Sequence, residues 1–119
     1  MPVRSSRSSV LRWPDAHAVE TALRGWAARM AAARPEIRRI GYFGSYARGD
    51  WGVGSDLDLI VVVEASDEPF LRRAANWDTG PLPVPTDLLV YTEDEWRKLR
   101  ASGRFSDRRL GETVWVYVC

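Results

Sequence analysis

Apolar residues recur at helical spacing through Val19, Leu23, Trp26, Ala27 and Met30. Pro14-Asp15 gives that segment a helix start, and Pro35 stops it. Residues 37–43 then read as a strand broken by Gly44, and a short helical turn is predicted over 45–48. Gly49, Gly52 and Gly54 mark a flexible loop. Residues 57–64 carry the strongest strand pattern. The run Ile60, Val61, Val62, Val63 suggests a central strand buried on both faces. Asp67 is placed to cap a short amphipathic helix through Trp77. The Pro-rich turn at 81–85 leads into a strand over 86–91. Thr92 with Glu95 three residues later is a capping-box signature for a helix to about Arg100. A β-rich segment over 113–118 closes the pattern.

This order predicts an α/β (α+β) domain, a small mixed β-sheet with flanking helices. Residues 1–12, MPVRSSRSSVLR, show no apolar period and are expected to form a flexible N-terminal arm on a domain spanning 13–119. No apolar stretch follows the early arginines, so the arm does not read as a secretory signal. The longest apolar run, 59–63, is far too short to cross a bilayer, and a cytoplasmic protein without membrane contact is expected. A length of 119 residues argues against two independent cores.

Charge and composition narrow the chemistry. Seventeen basic against sixteen acidic residues give a net charge of +1, which disfavours non-specific nucleic-acid binding. A single cysteine, Cys119, excludes an internal disulfide framework and a Cys-rich zinc site. A single histidine, His17, excludes a His-cluster metal site and reads as a surface residue near the helix start. Any metal chemistry must therefore use oxygen ligands. Six tryptophans should serve mainly as core or interface residues; Trp96 and Trp115 are candidates for either.

The informative stretch is GYFGSYARGDWGVGSDLDLIVVV, residues 41–63. A strand ends at Gly44-Ser45 and a helical turn begins, so backbone N–H groups there can meet phosphate oxygens. The Ser45 hydroxyl adds a donor, and Arg48 one turn on could neutralise phosphate charge or brace the loop by ion pairing. Asp56 and Asp58 are two residues apart at the head of an apolar strand, which puts them on one face. Neighbouring carboxylates repel unless a cation joins them, and magnesium suits paired carboxylates plus phosphates. Capping or arginine pairing would also explain a bare Asp-x-Asp. Asp87 begins a second apolar strand and joins the pair if the two strands are neighbours. Asp50 reads as loop structure. Trp51 is open to stacking on a base or to packing over the core.

Gly44-Ser45, ten intervening residues, Asp56-Leu57-Asp58 and a later strand acid together resemble the DNA polymerase beta-like nucleotidyltransferase superfamily. GSYARG followed by SDLDLIV is most similar to its minimal, MNT-type domains, over roughly residues 15–118. The resemblance implies that Gly44 and Ser45, with Arg48 more loosely, hold a nucleoside triphosphate, with ATP as substrate. It implies that Asp56 and Asp58 bind two Mg2+ ions, and that Asp87 serves the metal that activates the acceptor hydroxyl. Larger members carry a separate substrate domain, for which this length leaves no room, so the acceptor is expected to be a small molecule or another protein. MNT domains are often paired with HEPN-type toxins, which implies transfer of AMP to a partner tyrosine. The alternative is a vestigial MNT-like antitoxin that neutralises its partner by binding. A homo-oligomer is compatible with either.

Overall fold

Asp15 sets the first helix: its carboxylate accepts from the Ala18 N–H at 2.8 Å. In the computed structural model, which describes residues 14–102 and 111–119, helix α1 then runs Ala16–Ala33. The predicted arm at 1–12 lies outside the described residues. α1 ends at the residue before Arg34, whose extended backbone is what the following Pro35 favours. Strand β1 spans Ile37–Phe43, a one-turn helix α2 spans Ser45–Arg48, and β2 spans Leu57–Val63. Helix α3, Phe70–Arg73, runs into a 3-10 turn at Ala74–Asn76. β3 follows at Thr86–Thr92, α4 at Glu93–Ala101 and β4 at Val114–Val118.

The strands form one mixed sheet in the order β3-β2-β1-β4. β1 is antiparallel to β2 and β4, and β2 is parallel to β3. β2 is thus central, and every residue of it is buried except Asp58. Alternation along β2 divides two cores. Leu57, Leu59, Val61 and Val63 pack with Leu23, Trp26 and Ala27 of α1. Ile60 and Val62 face the other way, against Phe43 and Trp96 of α4. Trp26 is fully buried, and its indole N–H donates to the Asp78 carbonyl at 2.8 Å, so the ring nitrogen is not stranded.

Asp67 does not cap a helix. Pro69 takes the N-cap position with φ −59°, and a proline disfavours helical backbone at the preceding Glu68, so the helix starts only at Phe70. Its buried residue is a cation: Arg73 donates to the Glu68 carbonyl (2.9 Å), the Val90 carbonyl (3.0 Å) and both oxygens of Glu95 (2.6 and 3.0 Å). The capping box at Thr92 and Glu95 is present in both directions. Trp51 stacks on Tyr46 at 5.6 Å and 8°, packing over the first core. Trp96 is buried and meets half-buried Trp115 edge-on at 5.5 Å.

Candidate active site

The register of the sheet assembles one end of it into a site. Phe43, the last residue of β1, pairs with Asp58. Gly44 therefore leaves the strand beside that carboxylate, with φ 77° and ψ −148°, a conformation open essentially to glycine. A Cβ on Gly44 would collide with the Asp58 carboxylate, so only a glycine lets the turn approach it. On the other side of β2, Asp58 pairs with Asp87 across the parallel ladder. Adjacent strands lie about 4.8 Å apart, and paired residues share a face, so the two carboxylates are close neighbours. The Leu57 N–H donates to the Pro85 carbonyl at 2.8 Å, tying the starts of the two strands together.

Asp56 precedes β2 by one residue and is exposed at the end of the glycine loop. Ser45 opens α2 and is half-buried. Its carbonyl accepts from the Gly49 and Asp50 N–H groups, at 2.9 and 3.1 Å, which fixes the turn. The first turn of a helix presents N–H groups that its own carbonyls cannot reach, and here it does so beside Asp58. Gly44, Ser45, Asp58 and Asp87 thus meet at one sheet end, with Asp56 at its rim. Arg48 is engaged elsewhere: its Nε is 3.1 Å from Asp50 and its Nη1 3.5 Å from Glu112, so it braces the loop against the segment leading into β4.

The donor set is carboxylate oxygen, the hard ligand type that suits magnesium held by one or two carboxylates and completed by substrate phosphates. Among the described residues, no three acids, histidines or thiols converge as a ready-made metal cage, so Asp56, Asp58 and Asp87 do not form one unaided.

A second feature at this end has no signature in the sequence. A cleft of about 220 Å³ lies between the start of α1 and Tyr42, Tyr46 and Leu57. It is on the face of β2 opposite Asp58, since Leu57 and Asp58 point to opposite sides. The Tyr42 hydroxyl donates to Glu20 at 3.0 Å, and burial, then that carboxylate, push its pKa up. His17 lines the cleft but is exposed. Glu20 and Tyr42 come from different elements, so no spacing signal marks the pair.

The family model for the nucleotidyltransferase domain matches residues 27–116. No curated protein matches the chain. Among solved structures, a Sulfolobus solfataricus protein assigned as a nucleotidyltransferase superposes with TM-score 0.63 at 20% identity, covering 87% of this chain and 83% of its own. A toxin-antitoxin structure with AMP-PNP superposes with TM-score 0.50 at 16% identity, covering 81% and 73%. At these identities the likeness is one of fold. Among the described residues, no helix is long and apolar enough to cross a membrane.

Proposed function

Because the chain belongs to the nucleotidyltransferase domain family, we propose that it transfers AMP from ATP to a hydroxyl of a protein acceptor, a tyrosine of a partner toxin of HEPN type. One observation carries the reading: the sheet register brings the Gly44-Ser45 turn against Asp58 and sets Asp87 beside it. The toxin-antitoxin fold seen with AMP-PNP supports the choice of an adenine nucleotide and of a protein partner.

In this reading the turn at Gly44 and Ser45 holds the β- and γ-phosphates through N–H groups and the Ser45 hydroxyl. Asp56 and Asp58, with Asp87, would hold two magnesium ions, which would supply charge neutralisation for the phosphoryl transfer. The acceptor oxygen forms a bond to the α-phosphorus. The bond from that phosphorus to the oxygen bridging to the β-phosphate breaks, and pyrophosphate leaves. Asp87 takes the hydroxyl proton. Arg48 contributes by keeping the loop in place through Asp50 and Glu112.

The test is calorimetry of ATP with and without magnesium. Wild-type affinity should rise with magnesium, and Asp56→Asn with Asp58→Asn should abolish the rise. Equal MgATP affinity in both proteins would remove these carboxylates from the site. A double variant that still silences the cognate partner would point to an antitoxin acting by contact.

A further inference from the structure

One outer edge of the sheet stays half open beside the carboxylates. In the parallel β2–β3 ladder, alternate residues of a strand turn their main-chain groups toward the neighbouring strand. The Leu57 N–H donates to the Pro85 carbonyl, and Leu57 pairs with Thr86, so the ladder is carried on β3 by Asp87, Leu89 and Tyr91. Thr86, Leu88, Val90 and Thr92 therefore turn their N–H and C=O groups outward, away from β2. Two contacts bear this out: Arg73 donates to the Val90 carbonyl at 3.0 Å, and the Thr92 N–H donates to Glu95 at 3.0 Å.

β3 is an end strand of the sheet, and from Val90 on its outer edge is closed by Arg73 and Glu95. Its first half is not closed. Among the described residues, the outward main-chain groups of Thr86 and Leu88 meet no hydrogen-bonding partner. The Thr86 hydroxyl does not cap them either, since it donates to the Val84 carbonyl at 3.0 Å. A row of unmet N–H and C=O groups on a sheet edge is a template for another extended chain. Between these two residues sits Asp87, exposed. A strand laid on this edge would place one side chain about 4.8 Å from Asp87 and on its face of the sheet.

We propose that a segment of the protein acceptor docks here as an added strand on Thr86 and Leu88, with its hydroxyl residue opposite Asp87. The proposal rests on the reading that the acceptor is a protein hydroxyl. It also gives the sheet end a direction. The phosphate turn follows β1, Asp58 is on β2, Asp87 is on β3, and the acceptor lies beyond β3. Attacking oxygen and leaving pyrophosphate then stand on opposite sides, as an in-line displacement requires. A second copy of this chain does not suit the gap. The open stretch is centred on Asp87, so a twofold antiparallel pairing would set the two Asp87 carboxylates against each other, and like charges directly opposite are destabilising. A neutral hydroxyl meets no such repulsion and finds a proton acceptor.

The experiment selects binders from a displayed library of decapeptides with one central tyrosine, on the full chain without nucleotide. Amide exchange followed by NMR then locates the selected peptide. In the free chain the Leu88 N–H should exchange fast and those of Asp87 and Leu89 slowly, and bound peptide should slow Leu88. Leu88→Pro removes the outward N–H and leaves the ladder bonds of Asp87 and Leu89 in place. It should weaken peptide binding roughly tenfold or more at unchanged MgATP affinity. Leu88→Ala loses the contact with the first core but keeps the N–H, so it should bind the peptide like wild type. Should Leu88→Pro fail to fold, the exchange measurement on wild type decides alone. No enriched peptide, protection confined to other segments, or binding indifferent to Leu88→Pro would overturn the proposal. A wild-type dimer that shields Leu88 would overturn it in favour of a second copy. A peptide that docks at Leu88 but takes no label from MgATP would bear out the docking and count against the transferase reading alone.

Discussion

Gly44 meets two demands at once: a positive φ and the absence of a Cβ in front of Asp58. Gly49 meets only the first, with φ 85° and no atom within 4 Å of a Cβ position. The pair therefore separates backbone strain from collision. Gly49→Ala should cost on the order of 1–2 kcal/mol. Gly44→Ala should cost more, and should also lower nucleotide affinity by displacing Asp58 or the turn. Chemical denaturation and calorimetry on both variants measure this, and equal costs would show that the collision relaxes freely. Ser45→Ala should remove one hydrogen bond to a charged phosphate, worth roughly 1.5–3 kcal/mol of binding, at an unchanged melting temperature. An unchanged affinity would leave Ser45 as a turn residue. Spacing alone marked Gly44, Ser45, Asp56 and Asp58 as candidates. The contact between Gly44 and Asp58 was not legible, because it depends on how the loop between them closes the β1–β2 register.

Element scale decides the role of Asp87. In sequence it is one acid before an apolar strand, and its place depended on which strand became its neighbour. The parallel β2–β3 pairing sets it beside Asp58. If Asp87 accepts the hydroxyl proton, Asp87→Asn should leave much of the MgATP binding and reduce transfer by about a hundredfold or more. Single-turnover transfer from labelled ATP to the cognate acceptor, beside calorimetry on the same protein, reads both quantities. Near-normal transfer by the folded variant would take Asp87 out of the chemistry. The elements themselves were readable where one local signal dominated: Asp15 and the Thr92 box for helix starts, and the unbroken apolar run for β2. They were misread at Asp67, where a capping residue was outweighed by Pro69 two positions on. The buried Arg73 was invisible for a related reason. Its partners, Glu95 and the Val90 carbonyl, lie on the next strand and helix, and only tertiary packing brings them within reach.

On the scale of the molecule, the sequence showed six tryptophans and a near-neutral charge but not which sheet face each ring or charge would occupy. Among the described residues the fold sorts five of them: Trp26, Trp51 and Trp77 go with the α1 face, Trp96 and Trp115 with the α4 face. What fastens α4 to its face, besides Trp96, is the Arg73–Glu95 pair, in which the Arg73 side chain is 8% exposed and that of Glu95 41%. Hydrogen bonding from Arg73 holds the Glu95 pKa below the usual carboxylate range. Asp94 is also lowered, chiefly by Lys98, but it is exposed on the outer side of α4 and solvent screening leaves it little weight. A carboxylate lowered in the folded state stabilises the protein above its unfolded pKa, about 4.3 for Glu, and that contribution is lost as pH falls through the folded value. The melting temperature should therefore change little between about pH 7 and 5 and fall below about pH 4. Glu95→Gln should lower it at pH 7, because the buried Arg73 loses its charged partner; the stability lost should fall below the roughly 1.5–3 kcal/mol of fully buried charge-assisted hydrogen bonds, since Glu95 is 41% exposed and screened by solvent. The same variant should have a shallower decline in acid, since the titrating group is gone. Calorimetric scans of both proteins from pH 7 to 3 test the pair of effects together. A variant with the full wild-type decline would move the acid sensitivity to other carboxylates and reduce the Arg73–Glu95 pair to a packing contact.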